Sequence, residues 1–292
     1  MTESSPLLEF LFARMSEKSR TTVRSFLTHR QVRVNHLVTT RFDAPIKPGD
    51  TVTVGFEKGY EEFRHPMLRI IYEDNHLVVI DKKYGLLSIA TPKVAEKTAY
   101  HILSQYVKQR DPRAMIFVLH RLDRETSGLM IFAKSEAVQQ TMQKNWSEAV
   151  TERKYQAVVE GIPPKEEDTI VSLLAENKAF RVYVTRNEDE GRQAVTRYRR
   201  VTDNGAYALL DLELETGRKN QIRVQLASIG HPVAGDRKYG ARTNPLGRVA
   251  LHAGKLAFVH PVTKEALNFE SPLPYRFTSL FDKKQGRLPV AD

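Results

Sequence analysis

The stretch His120-Arg121-Leu122-Asp123-Arg124-Glu125-Thr126-Ser127-Gly128-Leu129-Met130-Ile131-Phe132-Ala133-Lys134 constrains this chain more than any other. Leu129 to Ala133 is a short unbroken apolar run and reads as a buried strand. Thr126-Ser127-Gly128 supplies the turn chemistry ahead of it. Upstream, Ile116 to Leu119 reads as a second short apolar strand. The cluster of Arg121, Asp123 and Arg124 therefore sits where one strand ends, and polar groups at strand ends face a cleft more often than a core. Taken alone, Asp123 is a turn aspartate capping local amides, with the arginines as surface counter-ions.

The 292 residues allow one large domain, or a medium domain with a small one, and 41% hydrophobic residues supply a core. The net charge of +10 favours a polyanionic partner, most simply nucleic acid. With no cysteine, thiol catalysis, thiolate metal sites and disulfides are excluded, as fits a reducing compartment. No apolar run approaches the ~18 residues of a membrane span. Met1 to Glu9 lacks the basic region and cleavage site of a secretory leader. A cytoplasmic protein without membrane contact is expected, a monomer by default. The chain carries no phosphate-binding, dinucleotide-binding, serine-hydrolase or zinc-protease motif. Its nine histidines are scattered without zinc-like spacing. A carboxylate-centred chemistry without metal or cofactor is left.

In chain order, Ser5-Pro6 before Leu7 to Phe12 reads as a helix start with proline at the first helical position. Ser19 is placed to cap a second helix with Val23, Phe26 and Leu27 on one face. Val32-Arg33-Val34 alternates as a strand with Asn35-His36 as its turn, and Pro48-Gly49-Asp50 leads into a strand over Thr51 to Val54. Between Arg14 and Arg41 there are seven Lys or Arg against one acid, Glu17. On charge alone this is equally a solvated basic helix pair. The order of elements and the Pro-Gly-Asp-x-Val string resemble the small S4-type RNA-binding domain. That resemblance implies phosphate contacts from Arg20, Arg24, Arg30 and Arg33.

From Leu68 onward the pattern becomes α/β. Strands are expected over Leu68 to Asp74 and Leu77 to Asp81 and from Tyr155 onward, with antiparallel ones over Phe180 to Thr185, Gln193 to Val201 and Tyr207 to Glu215. Helices are expected over Ala95 to Gln109 and over Ser135 to Ala149, the latter carrying a core Trp146. A third opens in Thr216-Gly217-Arg218-Lys219-Asn220-Gln221-Ile222-Arg223-Val224-Gln225-Leu226 and ends near Gly230, with Ile222, Leu226 and Ile229 as its buried stripe.

The string His-Arg-Leu-Asp-x-x-Thr-Ser-Gly-Leu, the apolar strand and Ala-Lys resemble the signature of the RluA-type RNA pseudouridine synthases. Lys82 to Leu86, Arg153 to Gly161, Thr216 to Leu226, His231 to Gly240, Leu251 to Ala253 and Ser271 to Pro274 continue the likeness, which runs from about Leu7 to Pro274. The chain departs from it at Lys83, where proline is usual and the turn is expected to loosen. Asn220 and Gln225 stand where the family carries histidines, so any role of those imidazoles is lost.

The resemblance implies an α+β pseudouridine synthase fold, with a mostly antiparallel mixed sheet flanked by helices and a small S4-like N-terminal domain. The expected boundaries are 1–60 for that domain, 61–67 for a linker, 68–282 for the catalytic domain and 283–292 for a frayed tail. The implied reaction turns specific uridines of structured RNA into pseudouridine, with no metal or cofactor. Large-subunit ribosomal RNA is the first candidate and transfer RNA the alternative. Asp123 would be the nucleophile, Arg223 the partner that keeps it ionised, and Tyr155 the ring that stacks on a flipped base. Arg121 and Arg218 would hold RNA. Attack on the ribose, attack on the base and proton abstraction from the sugar all stay open. So do a non-catalytic RNA-binding or ribosome-assembly factor on the same fold and an RNA N-glycosylase.

Overall fold

The chain forms two compact units, Met1–Phe63 and Arg64–Asp292, each with apolar core residues of its own. The computed structural model describes residues 5–35, 37–55, 63–91 and 98–282. Among the described residues no helix is long and apolar enough to cross a membrane.

In the first unit, β1 (Ser5–Pro6) pairs antiparallel with β4 (Pro45–Ile46). Between them in sequence lie α1 (Leu7–Arg14), α2 (Arg20–Thr28), β2 (Val32–Val34) and β3 (Leu37–Val38), and β5 (Val52–Val54) follows; the order in their sheet is β3-β2-β5. Pro6 does not open the helix but precedes it as strand, because Leu7 N–H donates to Ala44 O at 2.8 Å. Ser19 caps α2 as expected, accepting from Thr22 N–H at 3.1 Å. Val23, Phe26 and Leu27 pack on Leu7, Leu11, Val32 and Ile46. Of the expected Asn35-His36 turn, His36 lies outside the described residues, as do residues 61 and 62 of the linker and the tail after Asp282.

The second unit is built on an 11-stranded sheet. Its strands are β6 (Leu68–Glu73), β7 (Leu77–Lys82), β8 (Phe117–Val118), β9 (Ser127–Ala133), β10 (Glu152–Glu160), β11 (Glu167–Glu176), β12 (Val182–Thr185), β13 (Arg192–Asp203), β14 (Tyr207–Leu214), β15 (Leu251–Val259) and β16 (Ala266–Glu270). The main path runs β12-β11-β13-β14-β10-β15-β9-β7-β6, with β8 on β9 and β16 on β15. Every pairing is antiparallel except β9 with β15. The helices are α3 (Ala99–Arg110), α4 (Glu136–Lys144), α5 (Trp146–Ala149), α6 (Gln221–Ser228) and α7 (Tyr275–Thr278).

The apolar run of β9 is buried at all seven positions, since β7 and β15 flank it and packed residues cover both faces. The start of the Ala95 to Gln109 helix lies partly outside the described residues, and its described part begins at Ala99, capped by Thr98. The single helix expected over Ser135 to Ala149 is two, α4 and α5, broken at Asn145. Trp146 is only half-buried against the core and packs beside His120. In α6 the stripe is a wrap: Gln221 to Leu226 are all buried, whereas Ile229 is 38% exposed. Helix and sheet enclose α6 so closely that its polar residues are interior ones with partners. Gln225 donates to the carbonyls of Ile170 and Ala194 and accepts from Thr196 Oγ1 at 2.6 Å, fastening the helix to β11 and β13.

Candidate active site

The loop that carries Asp123 is held from both sides. Thr126 N–H donates to Asp123 O at 3.1 Å, closing the turn. Ser88 Oγ donates to Leu122 O at 2.6 Å and accepts from Leu122 N–H at 3.1 Å. Gly85 N–H donates to Arg124 O at 2.7 Å. Below it, wholly buried Lys82 donates to the carbonyls of Thr126 (2.6 Å), Leu86 (2.9 Å) and Lys83 (3.2 Å). Burial, then the charge of Arg248, pushes the Lys82 ammonium down to about 7, against the pull of Asp123, Glu125 and Asp81. Lys83, expected to loosen its turn, instead donates its N–H to Met67 O at 2.9 Å, a bond that proline cannot make.

Register brings Tyr155 to the same place. Ala253 of β15 pairs with Gly128 of β9 on one side and Tyr155 of β10 on the other. Two strand spacings, about 10 Å, thus separate the start of β9 from Tyr155. Opposite Lys154 and Tyr155 the extra residue of a bulge, Gly254, lies on β15, while β10 keeps an unbroken register with β14. Burial pushes the Tyr155 phenol up to about 12, so it stays neutral. Asp123, Arg121, Arg153, Tyr155, Arg218 and Asn220 line one cleft of about 1030 Å³.

Arg223 reaches Asp123 from α6. Its Nη1 donates to Asp123 Oδ2 at 3.0 Å, as expected, but its main partner is Asp236. Nε donates to Asp236 Oδ2 at 2.6 Å and Nη2 to Oδ1 at 2.8 Å, a bidentate pair buried on both sides. Glu125 Oε2 stands 3.5 Å from the same Nη1. Burial works against the guanidinium's charge, but Asp236 and then Asp123 outweigh it and raise Arg223 above its ordinary value. Its planar fork is thus fixed by Asp236 before it meets Asp123.

Asn220 precedes α6 in the left-handed region, at φ 54°. Its amide lies 2.8 Å from Tyr239 Oη on one side and 2.9 and 2.7 Å from Asp123 Oδ1 and Oδ2 on the other. The amide orientation that satisfies all three contacts donates to Asp123 and accepts from Tyr239. Sequence reasoning missed Asp236, Glu125, Tyr239 and the Asn220 contact. Asp236 is the single acid in His231 to Gly240, yet no periodicity ties it to α6.

The remaining expected residues are spread more widely. Arg121 and Arg218 are exposed at the cleft, Arg218 donating to Gln193 O at 3.1 Å. A second pocket of about 490 Å³ opens beside Asp123, ringed by Lys219, Arg237 and Lys238 with exposed Phe180. Arg20, Arg24, Arg30 and Arg33 belong to the first unit. There Arg20 and Arg24 lie over the Phe12 ring at 5.3 and 5.9 Å.

His120 accepts the Ile131 N–H at 3.2 Å through Nε2, and desolvation, then the charge of Arg153, pushes it down to about 3. Its unfolded value is about 6.5, so the unfolded chain binds more protons between these values. Stability from this group is therefore complete above pH ~6.5 and is lost as pH falls towards 3. His120→Gln should flatten the fall of Tm between pH 7 and 4.5 by up to about one proton's linkage. Parallel Tm curves for the variant and the wild type would refute this.

Residues 76–228 match the family described as RNA pseudouridylate synthase. The chain belongs to the RNA pseudouridylate synthase family. It is 34% identical over 287 residues to the uncharacterized RNA pseudouridine synthase YlyB of Bacillus subtilis strain 168, covering 95% of this chain and 94% of that one. It is 31% identical over 285 residues to the ribosomal large subunit pseudouridine synthase D of Haemophilus influenzae, covering 91% and 87%. Among solved structures, the human RNA pseudouridylate synthase domain containing 4 superposes with a TM-score of 0.59 at 26% identity, over 73% of this chain and 91% of that one. As an RNA pseudouridine synthase the chain is an isomerase, and the expected mixed, mostly antiparallel sheet is the one this family's fold uses. The family match begins at residue 76, so the first unit lies outside it.

Proposed function

We propose that this RNA pseudouridine synthase modifies uridines of large-subunit ribosomal RNA, acting in the cytoplasm as a monomer with Asp123 as its reacting carboxylate. The observation that carries the reading is Asp123 itself, held by Arg223 in a cleft that Tyr155 also lines. The ribosomal target is supported by relatives such as the Haemophilus influenzae enzyme. The first unit then serves as an S4-like RNA-binding domain spanning about 1–60, joined by a linker over 61–67 to the catalytic domain over 68–282. Arg20, Arg24, Arg30 and Arg33 meet phosphates, and Arg121 and Arg218 hold the strand at the cleft.

In this reading a uridine is flipped from a loop, at a cost of a few kcal/mol. The neutral Tyr155 ring stacks on it and returns roughly 1–3 kcal/mol. The N1–C1′ bond breaks, a C5–C1′ bond forms, and the C5 proton is exchanged for one on N1, so the product is an isomer. Asp123 attacks the ribose or the base, or takes the sugar proton. Arg223 holds its carboxylate in place.

The test is pseudouridine mapping across total RNA from cells lacking the protein, re-supplied with wild type or Asp123→Ala. Sites in large-subunit RNA that vanish and return only with wild type support the proposal; sites confined to transfer RNA overturn the target. Tyr155→Phe and Tyr155→Lys should both slow turnover, the lysine by roughly 10-fold or more through lost stacking. A wild-type rate in both would remove the stacking role.

A further inference from the structure

The Asp123 carboxylate has two holders, and only one of them is charged. Arg223 meets Oδ2 at 3.0 Å. Asn220 meets Oδ1 at 2.9 Å and Oδ2 at 2.7 Å while its carbonyl accepts from Tyr239 Oη at 2.8 Å. Asn220 is 9% exposed and Tyr239 8%. The Tyr239 ring lies under the Arg223 guanidinium, 5.2 Å from Cζ to the ring centre. One aromatic residue thus supports both groups that hold the carboxylate.

The backbone points the same way. Asn220 adopts φ 54° directly before α6. Asn, Asp and His are the non-glycine residues that tolerate this region best. Val224 N–H donates to Asn220 O at 3.0 Å, so the residue also begins the helix that carries Arg223 three positions later.

We infer that Asn220 is a positioning residue for Asp123, its N–H groups facing the carboxylate and Tyr239 anchoring the other end of its amide. This rests on Asp123 being the reacting group. The carboxylate only accepts, so it turns the N–H groups of the amide towards itself, and the Tyr239 hydroxyl, which can donate, satisfies the carbonyl at the other end. With it, both oxygens are held in one plane by donors that an amide supplies at any pH, and the remaining lone pairs are left to the cleft.

Asn220→Asp separates this role from a structural one. Aspartate has the same size, tolerates the same φ and still accepts from Tyr239, but cannot donate to Asp123 and carries its charge. We expect kcat to fall on the order of 10²-fold with KM nearly unchanged, and Tm to fall as well, because two carboxylates then share one buried site. Asn220→His, which the backbone also tolerates and which keeps a donor, should recover part of the loss. Asn220→Asp at the wild-type kcat, or a loss that His does not relieve, overturns the inference.

A second measurement needs no turnover. In ¹⁵N-labelled protein the Asn220 side-chain NH₂ signal should shift in both Asp123→Ala and Tyr239→Phe. A signal indifferent to both overturns the inference even if the enzyme is active. If wild type modifies no RNA while the signal responds to both, the functional reading fails and the positioning contact stands.

Discussion

Asp123→Asn is expected to lower pseudouridine formation by on the order of 10⁴-fold or more while leaving a folded protein that still binds RNA. The substitution keeps size and shape but removes the charge and the lone pairs a nucleophile or base needs. The fold should tolerate it because Arg223 is not left alone. Its Nε and Nη2 remain paired with Asp236 at 2.6 and 2.8 Å. The cost is then one part-buried hydrogen bond, about 1–2 kcal/mol, rather than an uncompensated buried charge. Turnover of a target RNA, Tm and RNA binding are measured together. Turnover within 10-fold of wild type would end the assignment of Asp123, whereas loss of fold would show that the Asp236 pair does not suffice.

The largest structural effect should come from Gly128→Ala. Gly128 has φ 114°, and a Cβ there would stand 2.1 Å from Ala253 O and 2.7 Å from both Ala253 N and C. These are backbone atoms of β15 and cannot turn aside. Gly128 and Ala253 also form one of the two residue pairs that join β9 to β15, the sheet's parallel contact. Left-handed strain and overlap together should exceed ~4 kcal/mol, a large share of the ~5–15 kcal/mol that a domain holds. Tm should fall by roughly 10 °C or more, or the variant should fail to fold. Gly205→Ala is the control. It shares a positive φ, 86°, but its Cβ would meet nothing within 4 Å, so only about 1 kcal/mol is at stake. Equal losses in the two would show that conformation, not the approach of β15, is what Gly128 provides.

The two variants probe different layers of the molecule, and sequence reasoning reached them unequally. Asp123 and its partner Arg223 were legible because each sits in a long ordered string, and the 3.0 Å contact joins residues 100 apart. The strands at Leu68, Leu77, Leu129, Tyr155 and Tyr207 were legible because burial imposes a local pattern of apolar residues. The Ile222, Leu226, Ile229 stripe failed for the converse reason. A period describes a helix with one wet face, and α6 is enclosed, so its interior holds Gln221, Arg223 and Gln225 as well. At Lys83 the backbone N–H, which proline would lack, donates to Met67 O just ahead of β6, a contact that no local pattern encodes.

By itself, then, the sequence determined the family, the alternation of elements, the carboxylate of the signature string and the arginine that meets it. These follow from local periodicity and from contiguous motifs. The tertiary structure alone decided the strand order, and with it the placing of Gly128 and Tyr155 on either side of Ala253. It alone assigned Asp236 to Arg223, Tyr239 to Asn220 and Lys82 to the carbonyls beneath the loop. The physical reason is that periodicity encodes which face of an element is buried but not which element covers it. A buried charge or amide finds its partner only when distant segments close on one another.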